Sequence, residues 1–125
     1  MSATLRSVSL LRSFGFALEG VSYLIRTQRS AQIELVIGVM VIALAAWLGI
    51  TALEWAVLVL AMVLVLALEA LNTAIELAVT LASPGRHPLA KAAKDVAAAA
   101  VLVAAVGAAV VGLIILWPRL TMLVS

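Results

Sequence analysis

The chain has 125 residues, of which 66% are hydrophobic and only 11% charged, and its mean hydropathy is +1.29. A soluble domain is nearer half apolar and a quarter charged, so polar side chains are too scarce here to cover an aqueous fold. A net charge of +2 is too small to draw nucleic acid, and the lack of cysteine excludes disulfides and thiolate metal sites.

The composition fits an all-α integral membrane protein of one domain, residues 1–125. In residues 3–27, Leu11, Phe14, Leu18, Val21 and Ile25 recur at helical spacing while Arg12, Glu19 and Arg26 lie seven apart on another face. That pattern predicts an amphipathic helix along the bilayer surface, and the charges interrupt any signal-peptide core. Three apolar stretches follow: LVIGVMVIALAAWLGI from Leu35, WAVLVLAMVLVLAL from Trp55, and VAAAAVLVAAVGAAVVGLIILW from Val96 to Trp117. A spanning helix needs roughly 20 residues, which places the crossings at residues 33–52, 54–82 and 89–117, with Glu34 reaching toward the headgroups. Ser83, Pro84 and Gly85 end the second crossing, Pro88 suits the first turn of the third, and Pro118 closes it.

Orientation follows from basic residues. Arg6, Arg12, Arg26 and Arg29 precede the first crossing, Arg86, Lys91 and Lys94 separate the second from the third, and only Arg119 lies on the opposite side. The positive-inside bias makes the richer side cytoplasmic, with the N-terminus inside.

The second crossing carries the chemistry. At about 100° per residue, Glu69, Asn72, Thr73, Glu76 and Thr80 fall within one sector roughly 100° wide, on a helix otherwise apolar from Trp55 to Ala82. A carboxylate in a spanning helix costs on the order of 3 kcal/mol to insert, so this face turns to protein or water and not to lipid. Glu76 lies 21 residues beyond Trp55, about 32 Å at ~1.5 Å per residue, which puts it at the inner boundary with Glu69 about 10 Å deeper. The third crossing opens with Lys91, Lys94 and Asp95 on one face. Lysines at a helix N-terminus are unfavourable unless an anion is near, and a phosphate would resolve the conflict.

The small-residue ridge Ala100, Ala104, Ala108 and Gly112 suits close helix packing, and so short a chain points to a homo-oligomer with sites between subunits. No Walker loop, nucleophile elbow or zinc motif is present, and His87 reads as a solvated turn residue. Carboxylates plus lysine at a membrane surface suit metal-assisted phosphoryl transfer. Two rival classes use the same residues: an ion-coupled transporter with an intramembrane proton relay, and a catalytically degenerate membrane assembly subunit with an interhelical polar network.

The tract LEALNTAIELAVTLASPGRHPLAKAAKDVAAAAV, Leu68 to Val101, resembles the signature of the prokaryotic diacylglycerol kinase family, most closely its undecaprenol kinase branch. The resemblance implies a homotrimer with three crossings and a surface helix per subunit, transferring the γ-phosphoryl group of MgATP to a membrane lipid alcohol, either undecaprenol or diacylglycerol. It implies that Glu69 is the general base, that Asn72 supports the site, and that Glu76 is a magnesium ligand. Lys94 and Asp95 match nucleotide contacts, and Gly85, Arg86 and His87 match the turn against the nucleotide. Where relatives commonly carry another magnesium-ligating glutamate, this chain has Gln28, whose amide oxygen is a neutral and weaker ligand.

Overall fold

A computed structural model describes residues 3–125, with side chains from residue 8 onward; Arg6, counted above in the charge bias, has its side chain outside the described part. Four helices account for nearly all of it: α1 (Ala3–Thr27), α2 (Arg29–Leu48), α3 (Ala52–Ala82) and α4 (Pro88–Val124). All four are long and apolar enough to cross a bilayer, α1 through its segment Val8–Thr27. Length and composition therefore give four candidate crossings where three and a surface helix were expected. The reason is that the charges of α1, spaced seven apart, leave apolar residues between them.

The helix bounds differ from the expected ones where polar residues find partners inside the protein. α2 starts at Arg29, directly after a one-residue break at Gln28, and not at residue 33. The Gln32 amide donates back to the Ile25 carbonyl at 2.9 Å and so satisfies a carbonyl that the end of α1 leaves open. α2 ends at Leu48 because Gly49 adopts the left-handed conformation, φ 68°, that a residue with a Cβ rarely takes. Thr51 then caps α3 reciprocally: its hydroxyl accepts from the Glu54 backbone N–H and its own N–H donates to the Glu54 carboxylate.

Pro118 does not close α4, which continues to Val124. Proline removes one helical donor, but Arg119 beside it is fixed by an ion pair to Glu54 at 2.6 Å and also reaches the Ile115 carbonyl, so the last turns are anchored to α3. α3 and α4 form the principal helix pair, while α2 meets α1, α3 and α4 more lightly and α1 also touches α3.

The apolar core sits toward the α2–α3 connection, where Ala45, Ile50, Leu58, Ile115 and Leu116 are buried together, flanked by Trp55 and Met62. Along α2 the buried positions Ala31, Gly38 and Ala45 recur every seven residues, a small-residue seam that lets α3 come close. At Gly38 the Met62 side chain of α3 packs onto the bare backbone, where a Cβ would stand 2.7 Å from the Met62 methyl group. This antiparallel register carries the α2 residues before Ala31 and the α3 residues around Glu69 to the same end of the pair.

Candidate functional site

The polar face of α3 is graded in burial. Glu69 is 1% exposed and Thr73 5%, Asn72 and Glu76 are half-buried, and Thr80 is exposed. Glu69 is thus turned into the protein, as the insertion cost of a carboxylate requires. Its Oε2 accepts a hydrogen bond from the Ser30 hydroxyl at 3.1 Å, across the α2–α3 interface. Its Oε1 is buried without a partner, and its backbone carbonyl accepts from the Thr73 hydroxyl at 3.0 Å. One turn along, the Asn72 amide nitrogen lies 3.5 Å from Glu76 Oε1, and the Asn72 amide oxygen is buried and unpartnered.

Glu34 does not reach out to headgroups. It is half-buried, its carboxyl group abuts that of Glu69, and its Oε2 is buried without a partner. Ser30 and Glu34 are one helical turn apart on α2, so both project from the face that meets Glu69. Neither was singled out as a site residue from the sequence. The available signal was the seven-residue spacing of Ala31, Gly38 and Ala45, which identifies the face of α2 that packs on α3.

The remaining sequence-derived candidates lie toward the same end. Lys94 is half-buried, and Asp95 is exposed and held by Lys91 at 2.6 Å in an ion pair. Gly85, Arg86 and His87 are exposed in the α3–α4 connection. His87 has a definite structural role: its Nδ1 accepts from the Leu89 backbone N–H at 3.1 Å and caps α4, with Pro88 at the first helical position. It is a cap, where the sequence suggested a merely solvated turn residue.

Gln28 occupies the α1–α2 junction, with its amide nitrogen directed to the Thr27 hydroxyl at 3.2 Å. Among the described residues no recorded contact joins Gln28 to Glu76, and no group of three or more His, Asp or Glu side chains converges as a metal cluster. The acidic groups thus divide into an abutting pair, buried Glu69 with half-buried Glu34, and a separate half-buried Glu76 beside Asn72.

A bundle of apolar helices with an interior carboxyl site toward one end defines a membrane protein with its buried polar groups gathered at that end. Residues 15–116 match the prokaryotic diacylglycerol kinase family, and the chain belongs to it, a family of lipid kinases. It is 49% identical to a diacylglycerol kinase of Synechocystis over 113 residues, which are 90% of this chain and 65% of that relative's length. It is 39% identical to an undecaprenol kinase of Bacillus subtilis over 109 residues, covering 87% of this chain and 89% of the relative. A diacylglycerol kinase of Escherichia coli is 30% identical over 108 residues, 86% of this chain and 88% of its own. Membership in this family favours neither the transporter nor the assembly subunit.

Proposed function

We propose that the chain is a membrane lipid kinase that transfers the γ-phosphoryl group of ATP, with Mg²⁺, to a lipid alcohol, undecaprenol or diacylglycerol. The observation that carries this reading is Glu69, buried, with one carboxyl oxygen fixed by Ser30 and the other without a partner. Such a group is positioned to take a proton at the membrane interior, and family membership supplies the reaction class. The names of relatives supply the two lipid alcohols.

In this reaction the lipid hydroxyl loses its proton to Glu69 as its oxygen bonds to the γ-phosphorus. The bond from that phosphorus to the bridging oxygen breaks, and ADP leaves with the electron pair. Asn72 supports the site, and Lys94 offsets charge on the transferring phosphoryl group. Asp95 and the turn residues Gly85, Arg86 and His87 line the nucleotide end.

The donor set fits a hard divalent cation, since Glu76 has no basic partner among the described residues and presents carboxylate oxygen. Gln28, whose amide nitrogen is turned to Thr27, would offer its amide oxygen as a second, neutral protein ligand. A bound magnesium ion would neutralise charge on the nucleotide phosphates.

We further propose that α1 lies along the cytoplasmic leaflet and that α2, α3 and α4 cross, with the N-terminus inside the bacterial inner membrane. Glu19 is exposed midway along the apolar segment Val8–Thr27 and Arg12 about one turn from its start, and a lipid environment would penalise both. The stripe Leu11, Phe14, Leu18, Val21 and Ile25 is exposed too, an apolar face suited to the headgroup boundary. Three copies of the chain assemble as a homotrimer in this reading.

The test is transfer of radiolabelled phosphate from ATP to lipid by purified protein, in mixed micelles containing undecaprenol or diacylglycerol. Label is expected in the lipid extract with at least one of them, and Glu69→Gln is expected to cut the rate about 100-fold or more with the fold intact. Absence of transfer to both lipids, or near-normal rates in that variant, would overturn the proposal.

A further inference from the structure

Glu34 and Glu69 stand against each other between α2 and α3, and each keeps one buried oxygen without a partner, Oε2 of Glu34 and Oε1 of Glu69. Among the described residues the ion pairs are Lys91 with Asp95 and Arg119 with Glu54, so no described cation neutralises either carboxyl. The hydroxyls hydrogen-bonded to Glu69 are Ser30 from α2, on a carboxyl oxygen, and Thr73 from α3, on the backbone carbonyl. Two adjoining carboxylates that each keep an oxygen shut off from water, with no cation beside them, resist ionising together, because each destabilises the charge of the other. Two carboxylates also offer only acceptors, so both orphan oxygens would stay unsatisfied. One proton placed between them removes the repulsion and satisfies both.

We propose that Glu34 and Glu69 hold a single proton between them, with Glu34 the protonated partner that donates to Glu69. The asymmetry comes from Ser30: its hydroxyl already donates to Glu69 Oε2, which favours the negative charge on Glu69. Glu69 is then a carboxylate held by two donors, one on each oxygen. Glu34 is a positioning residue in this reading and acts through Glu69. When Glu69 takes the lipid hydroxyl proton, the pair carries two protons, one on each carboxyl. The one gained must leave toward the aqueous end before the next turnover restores the singly protonated pair.

The proton sharing can be read without any catalysis, whereas the positioning role rests on the reading of Glu69 as the base. Infrared spectra of the full-length protein at neutral pH, with and without ¹³C-carboxyl glutamate, should show the C=O stretch of a protonated glutamic acid in the unsubstituted chain. Glu34→Gln should abolish that band. Its amide N–H replaces the acid O–H as donor, so its kcat should stay within about threefold, whereas Glu34→Ala should lose about 10-fold or more with KM for ATP unchanged.

A missing glutamic acid band in the unsubstituted protein, or a band that persists in Glu34→Gln, overturns the shared proton. Equal losses in the Gln and Ala variants overturn the positioning role. Should Glu69→Gln retain kinase activity while the band behaves as described, the base assignment fails and the shared proton stands.

Discussion

The two ends of the α2–α3 pair handle polar groups in opposite ways. At the α2–α3 connection, Thr51 and Glu54 cap each other, Glu54 also holds Arg119 at 2.6 Å, and a closed apolar cluster lies beneath. Every polar group named there has a partner. Toward the α3–α4 connection, Glu34, Glu69 and Asn72 each keep a buried oxygen with none. A fold built only for stability would not leave such groups, since an unsatisfied buried acceptor costs about 1–3 kcal/mol. One end fixes the helices so that the other can keep reactive oxygens in place, and the difference marks where chemistry resides.

The largest expected effect comes from exchanging function for stability at the two ends. Glu69→Gln removes a negative charge from an abutting carboxyl pair, so its melting temperature in detergent should equal or exceed that of the unsubstituted protein while phosphoryl transfer collapses. Leu58→Ala, at a position 2% exposed, should do the reverse. In a membrane the transfer term largely vanishes because lipid is as apolar as leucine, but the cavity remains, so a loss on the order of 2 kcal/mol is expected. Specific activity of the fraction that stays folded should be nearly unchanged. Equal losses of activity in both variants would mean the ends are not separable.

A smaller effect is expected at the clasp. Glu54→Gln keeps the shape of the side chain, weakens the cap on α3 and removes the ionic part of the contact with Arg119. The melting temperature should fall by less than in Leu58→Ala, with activity retained, because the clasp sits at the end away from Glu69. The fall should shrink in Arg119→Met, where the ion pair is already gone, and a double-mutant cycle reads that coupling. If the two substitutions add without interaction, α4 is not tied to α3 through this pair.

Legibility in the sequence followed how local each determinant is. Five polar residues sharing one face of α3 are visible because a 3.6-residue period stands out in an apolar background, and the structure buries Glu69 and Thr73 on that face. Ser30 and Glu34 were not visible as members of the same site, because their relation to Glu69 depends on the register between two helices. Met62 lying over Gly38 belongs to that register, a tertiary contact with no short-range signature. Pro118 shows the converse: a strong local stop signal is overridden by Arg119 reaching Glu54, 65 positions away. Length and composition do not separate a surface helix from a crossing, since α1 satisfies both measures of a crossing.

The smallest expected effect lies at the exposed edge of the site. The side chains of Lys91 and Asp95 are 79% and 62% exposed, so their ion pair is largely screened and Lys91→Met should leave the melting temperature unchanged. If the start of α4 faces nucleotide phosphates, two electrostatic changes act in the same direction. The substitution removes a positive charge near a polyanion, and it leaves Asp95 uncompensated, adding repulsion. KM for ATP should therefore rise, by about two- to fivefold at low ionic strength, with kcat little altered. Salt reduces the Debye length to roughly 8 Å at 0.15 M and 3 Å at 1 M, so the difference should shrink steadily as salt is added. A salt-independent rise would instead indicate lost direct contact with the nucleotide. An unchanged KM at low salt would move the nucleotide away from the first turns of α4, leaving the buried carboxyls on α2 and α3 as the one chemically distinctive feature of this end.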